Sequence, residues 1–209
     1  MKSVLISIRP KWVEKIASGE KTIEVRKTAP KEEPFKAYIY CTKANKKYQT
    51  ICGCMVINTD ELYRLPNGKI KHDWSGELMC YNGEYTRDNF LNGKVIGEFI
   101  CDKVYLIKNQ GSRFSVAGEE QGVTNEIARQ SCLEYDDMVG YLDNKDGYGL
   151  HITALMIYSK PKELSEFNRP CSYAGLCFSC DRAKFTSKGD RVCEALITRP
   201  PQSWCYVEE

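Results

Sequence analysis

A glycine turn that joins a short helical stretch to a charged strand constrains this chain more than any other feature. Residues 4–8 form an apolar, β-branched run that ends at Arg9-Pro10. Pro10 stands where a helix tolerates proline, at its first position. Over 11–17, Trp12 and Ile16 recur one helical turn apart, and Gly19 supplies a stop. The stretch Ser18-Gly19-Glu20-Lys21-Thr22-Ile23-Glu24-Val25-Arg26-Lys27 then runs into a polar strand. Strand alternation places Thr22, Glu24 and Arg26 on one face, with Lys21, Ile23 and Val25 on the other. A twist at Gly19, or a bulge, would bring Lys21 round to join the other two. Three charged side chains this close either brace the fold, at about 0–1 kcal/mol for a surface pair, or form a site.

Charge is unevenly spread. Residues 1–50 carry 12 Lys and Arg against 5 Asp and Glu, while the remainder carries 18 against 23, so the overall +2 hides a basic N-terminal region. Such a region suits a polyanion such as RNA or DNA, because phosphate contacts supply most nonspecific affinity. The alternative is a solvated face, to which Lys43, Lys46 and Lys47 would contribute. Hydrophobic residues at 42% and aromatics at 11% suffice for a packed core and argue against wholesale disorder. No apolar run approaches the roughly 18 residues of a membrane helix, and Met1-Lys2-Ser3-Val4 opens no signal-peptide core. The expected location is cytoplasmic, with no membrane partner.

Strand-like runs dominate. Residues 4–8, 21–26, 37–42, 51–58, 95–101, 104–107 and 150–158 are rich in Val, Ile, Tyr and Thr. Pro66-Asn67-Gly68, Asn82-Gly83 and Asn92-Gly93 read as turns between them. Two helices are predicted, over 11–17 and over 125–142, the second with Thr124 as N-cap and with Glu126, Glu134, Asp136 and Asp137 on a solvated surface. Many short strands with few helices predict an α+β, mainly β fold, a small mixed β-barrel. The organisation expected is a barrel over 1–168, a cysteine-rich insert over 169–199, and a terminal strand over 200–209 that returns to the barrel.

The eleven cysteines divide into two sets. Cys41, Cys52, Cys54, Cys80, Cys101 and Cys132 lie in strand-like or helical stretches, where free cysteine acts as a small buried hydrophobe. The odd total argues against a disulfide framework. In the tail, Cys171-x5-Cys177-x2-Cys180-x12-Cys193 has metal-ligand spacing, because a Cys-x2-Cys turn presents two thiolates to one ion. Residues 181–191 are polar and too poor in apolar side chains to hold themselves by a core, so a structural zinc would supply the stability. Iron–sulfur ligation uses the same residues. Cys193 is the expected fourth ligand, with Cys205 in reserve.

If Lys21, Glu24 and Arg26 converge, the two cations would hold a phosphate or base carbonyl and Glu24 would accept a base amino group. Arg9 and Lys11 would add positive charge beside them. Trp12, Tyr38, Tyr40, Trp74 and Tyr81 are candidate stacking platforms, most of them expected in the core, with Trp74 in its polar loop the most exposed. His72 and His151 form no recognisable nucleophile–base pair; His151, in an apolar strand, reads as a core histidine.

Gly19-x-Lys21-x-x-Glu24-x-Arg26, following Ser7-Ile8-Arg9-Pro10 and a short helix, resembles the signature of the ASCH family of PUA-like β-barrels. Gly97-Glu98-Phe99-Ile100-Cys101, then Gly149-Leu150-His151-Ile152-Thr153, resemble its central and closing strands. The similarity spans about 1–168 and resumes at Pro200-Pro201-Gln202-Ser203-Trp204-Cys205-Tyr206-Val207, an ending similar to prophage ASCH proteins. The resemblance implies a function linked to RNA, generally as a binding module. It also implies an amidohydrolase alternative, acting on an N-acylated nucleoside such as N4-acetylcytidine. That chemistry uses a lysine matched by Lys21, a threonine whose place Glu24 takes here, and a helix glutamate for which Glu126 and Glu134 are candidates. In it, Lys21 assists and Glu24 activates water. A third reading is a phage-borne protein interaction module.

Overall fold

The computed structural model describes residues 1–43, 91–111, 113–171, 184–185, 189 and 191–208. The first part of the chain is β1 (Lys2–Ile8), α1 (Pro10–Ala17), β2 (Ile23–Arg26) and β3 (Phe35–Cys41). Next come β4 (Val95–Cys101), β5 (Val104–Asn109), β6 (Phe114–Val116), α2 (Gln121–Ser131) and α3 (Tyr135–Leu142). After these follow β7 (Gly147–His151), β8 (Thr153–Lys162), a 3-10 turn (Leu164–Glu166), β9 (Lys184–Phe185), β10 (Arg191–Val192) and β11 (Trp204–Val207). The fold is α+β and mainly β.

The longer sheet has the order β11-β1-β3-β4-β8 and the shorter one β2-β7-β5-β6. Within the longer sheet β1 and β3 pair in parallel, with Val4 opposite Ala37, and this requires a crossover. Helix α1 and strand β2 make that crossover, which carries Lys21, Glu24 and Arg26 across the molecule. The described ladders form separate sheets, so among the described residues hydrogen bonding does not close the expected barrel. Strands β4 and β8 approach so closely at Gly97 that a Cβ there would lie 2.4 Å from the Met156 carbonyl oxygen.

The five-stranded sheet is covered on both faces. Val4, Ile6 and Ile8 point to one cluster with Val13, Ile16, Phe99 and Leu150. Leu5 points to the other, with Tyr38, Tyr40, Phe167, Ile197 and Val207. Tyr38 and Tyr40 are thus core residues rather than stacking platforms. A third cluster seats Ile127 of α2 and Met138 and Leu142 of α3 on Ile23, Val25 and Ile107 of the shorter sheet. Each such fully buried aliphatic side chain contributes about 1.5–3 kcal/mol relative to exposure.

Several expectations are corrected. The helix predicted over 125–142 is two helices, because Cys132 ends α2 in the left-handed conformation, at φ 54°. Glu120, not Thr124, holds the α2 N-cap position; Thr124 is buried and its hydroxyl accepts a hydrogen bond from the Val116 amide at 3.1 Å. The strand predicted over 150–158 is split between β7 and β8, with Ala154 in the left-handed region at φ 46°. His151 is half-buried rather than core, and its Nδ1 lies 2.7 Å from Asp102. The Asn92-Gly93 turn forms, with the Gly93 amide donating to the Cys41 carbonyl. Cys41 and Cys101 are buried, Cys132, Cys193 and Cys205 are half-buried, and Cys171 is exposed. The predictions for residues 51–58, Pro66-Asn67-Gly68, Asn82-Gly83, Cys52, Cys54, Cys80, Cys177, Cys180, Lys46, Lys47, His72, Trp74 and Tyr81 lie outside the described residues. No described helix is long and apolar enough to cross a membrane.

Candidate functional site

Backbone turns place Lys21 before its side chain acts. Ser18 ends α1, Gly19 takes φ 76°, and the Lys21 amide donates back to the Lys15 carbonyl at 2.9 Å. Lys21 therefore precedes β2 rather than belonging to it. Its ammonium folds over to lie 3.4 Å from Glu24 Oε2, and it donates to the Ser131 carbonyl at 2.5 Å. That carbonyl is one of the last of α2, at the negative end of the helix dipole, where a cation is favoured.

Glu24 and Arg26 come from β2, two residues apart on one face. One terminal nitrogen of Arg26 forms an ion pair with Glu24 Oε1 at 2.9 Å and donates to the Ser7 carbonyl at 2.7 Å. All three charged side chains are buried, Lys21 at 2% relative exposure, Glu24 at 5% and Arg26 at 6%. Burial pushes the Lys21 pKa below its ordinary 10.5, and the Glu24 carboxylate only partly offsets that. The Arg26 Nε–H is buried and finds no hydrogen-bond partner among the described residues.

These residues line a cleft of about 880 Å³, shared with Ser7, Arg9, Trp12, Lys27 and Tyr141. The Lys21 ammonium stands 5.2 Å from the centre of the Trp12 ring. Tyr141 is half-exposed, and burial of its phenol raises its pKa against the opposing pull of Arg26 and Arg9. Lys27 sits 6.0 Å from the Tyr141 ring. Asp136 and Asp137 of α3 also line the cleft. Four cations (Arg9, Lys21, Arg26, Lys27) thus face three carboxylates (Glu24, Asp136, Asp137). Among the described residues, the lining of the cleft carries a near balance of charge.

Of the predicted residues, Lys21, Glu24, Arg26, Arg9 and Trp12 are brought together. Lys11 does not line the cleft; its ammonium sits 4.6 Å above the Trp12 ring. Trp74 lies outside the described residues. Glu126 pairs with Arg129 on the exposed side of α2, and neither Glu126 nor Glu134 lines the cleft. Sequence reasoning did not single out Ser7, Tyr141 or Gln202. A signal existed for Ser7, the one polar residue within 4–8: its hydroxyl donates to the Pro201 carbonyl at 2.6 Å and anchors the 200–202 segment against the cleft.

Residues 6–91 match the family model described as ASCH domain. Among solved structures, the crystal structure of ASCH from Zymomonas mobilis is similar at 13% identity, with a TM-score of 0.50. That match covers 100% of this chain and 89% of the other. A mutant form of the same protein gives 14% identity and a TM-score of 0.49, over 100% and 92% of the two chains. At such identity the likeness concerns the fold alone. None of the curated proteins matches the chain. Lys21, Glu24 and Arg26 fall inside the segment that matches the ASCH domain model.

Proposed function

We propose that the cleft over Lys21, Glu24 and Arg26 binds RNA, or a modified nucleobase or nucleotide, one unpaired base at a time. ASCH is a PUA-like family associated with RNA binding. The observation that carries the reading is the buried trio itself. Ion pairs this deep cost desolvation that hydrophobic residues would avoid, so their retention calls for a role beyond stability. Glu24 keeps lone pairs for a base amino group, and the unpartnered Arg26 Nε–H offers a donor to a carbonyl. Trp12 and Tyr141 supply aromatic surface on which a planar base would stack, a contact worth about 1–3 kcal/mol. The near balance of charge favours a single nucleotide over a long phosphate track.

Fluorescence anisotropy with a labelled single-stranded RNA, and calorimetry with free nucleosides and nucleotides, test this. Lys21→Met is expected to weaken binding at least about tenfold, the cost of one charge-assisted hydrogen bond. Equal affinity of wild type and variant would overturn the reading. Negligible affinity of the wild type for every probe would instead favour the protein interaction module.

One observation favours the amidohydrolase as a second reading: Lys21, its pKa lowered by burial, lies 3.4 Å from Glu24. A glutamate beside such a lysine can take a proton from water while the lysine holds the developing oxyanion. Water would add to the acyl carbon and the C–N bond would break, giving carboxylate and the free amino group. Chromatography of N4-acetylcytidine incubated with the protein decides: cytidine and acetate from wild type but not from Lys21→Met support hydrolysis, and intact substrate rejects it.

A further inference from the structure

We propose, on the basis of the base-binding reading above, that the cleft selects guanine, with Glu24 accepting the two adjacent donors of that base's Watson–Crick edge. Each Glu24 carboxylate oxygen has one cation, Arg26 at 2.9 Å from Oε1 and Lys21 at 3.4 Å from Oε2. A carboxylate accepts at about four lone-pair positions, two on each oxygen. Each oxygen therefore keeps one acceptor position, and the two lie side by side on a planar group. Both cations are also held from behind, Lys21 by the Ser131 carbonyl at 2.5 Å and Arg26 by the Ser7 carbonyl at 2.7 Å. Turning the carboxylate would break both pairs, so its acceptors are set before a ligand arrives. Asp136 and Asp137 line the same cleft but are exposed and hydrated. Glu24 is the one buried carboxylate of the cleft among the described residues.

Guanine alone among the four bases presents two neighbouring donors, N1–H and the N2 amino group, with the O6 acceptor next in line. Each donor meets one Glu24 oxygen. O6 then falls beside a cation whichever way the ring is turned, Arg26 on the Oε1 side or Lys21 on the Oε2 side. The Arg26 Nε–H, buried and without a partner among the described residues, is one donor for it. Adenine and cytosine each offer an amino donor beside a ring-nitrogen acceptor, which would set a lone pair against the second oxygen. Uracil has one N–H between two carbonyls, so a carbonyl oxygen would face the carboxylate. In a buried site water cannot relieve such a meeting of acceptors. The site thus rejects the other bases as well as attracting guanine. Arg9 and Lys27, exposed in the same cleft, would meet the phosphate, a contact that positions the nucleotide and does not distinguish bases.

Calorimetry of the full wild-type chain with nucleoside monophosphates at one fixed salt concentration tests this, because the shared phosphate contributes equally throughout. Using the wild type alone keeps the folding of any Glu24 variant out of the result. Guanosine monophosphate should bind at least about tenfold more tightly than the adenosine, cytidine and uridine monophosphates. Inosine monophosphate, which lacks the N2 amino group, should lose about tenfold, and 1-methylguanosine monophosphate at least as much. The 7-deazaguanosine nucleotide keeps the Watson–Crick edge and loses only N7, so it should bind like the parent. Affinity lost on the 7-deaza change and kept by inosine would put the opposite edge of the base on Arg26 and overturn the assignment. Equal affinity for all four bases, or tighter binding of adenosine or cytidine, would overturn it and leave base binding standing. Single-stranded RNA bound while no mononucleotide binds would also overturn it, since affinity would then come from phosphates. Binding of neither would overturn the base-binding reading itself.

Discussion

Two glutamates in this molecule pair with cations at similar distances and in opposite surroundings. Glu24 meets Arg26 at 2.9 Å and Lys21 at 3.4 Å, with side chains 1–7% exposed. Glu126 meets Arg129 at 2.5 Å on α2, with side chains 46% and 74% exposed. The surface pair gains little, since water screens it and two long side chains must be ordered to make it. The buried trio depends on Glu24, the shared partner of both cations, because removing it strands Lys21 and Arg26 in a low dielectric. Similar chemistry is therefore decorative on α2 and structurally committed on β2, and only the second lines a cleft.

The largest expected effect follows from Glu24→Gln. The amide has nearly the shape of the carboxylate but no charge, so Lys21 and Arg26 would face each other buried and uncompensated. A loss of about 3–5 kcal/mol in urea unfolding is expected, and a loss below that of a surface substitution would show that the trio is hydrated. Lys21→Met should be milder, about 1–2 kcal/mol, because Glu24 keeps Arg26 while the Ser131 carbonyl loses its donor. Its signature is pH dependence. Burial lowers the Lys21 pKa below 10.5, so between the two values the unfolded chain binds more protons than the folded one. Wild-type stability should then rise with pH through that window and level off above about 10.5. Below the folded value the full cost of burying the ammonium remains. Unfolding curves at stepped pH check this, and Lys21→Met should lack the rise.

How the trio assembles shows where sequence reading stops. Alternation put Glu24 and Arg26 on one face of a strand, and the structure keeps them there. It put Lys21 on the other face, because alternation assumes an extended chain. Residues 19–22 are instead a turn, with Gly19 at φ 76° and Lys21 tied to Lys15. Strand β4 runs over the expected residues, Val95–Cys101, since its β-branched and aromatic run is bounded by a turn and a charge. The break at Cys132 was not legible. Cysteine seldom adopts positive φ, and only tertiary packing of α2 and α3 on the shorter sheet selects it. Asp136, Asp137 and Tyr141 reach the cleft through that break, more than a hundred residues along the chain from Lys21. No local pattern carries such a contact.

Smaller effects separate the cleft from the surface. Tyr141→Phe keeps the ring and removes a hydroxyl close to Arg26, so RNA affinity should fall only a few-fold, within about 1 kcal/mol. Tyr141→Ala should cost more, about 1–3 kcal/mol, if a base stacks there, and equal affinities for the two variants would remove Tyr141 from the binding surface.

Glu126→Gln should do least. The pair with Arg129 is exposed, and the Arg129 and Gln130 donors that hold the Glu126 pKa down to about 2 act in open solvent. Neither stability nor RNA affinity should differ measurably from wild type at physiological salt, because both partners are rehydrated when the pair breaks. A clear loss of affinity in anisotropy titrations, with unchanged unfolding, would place α2 in the binding surface. The contrast between the two glutamates would then lie in their burial and not in their use.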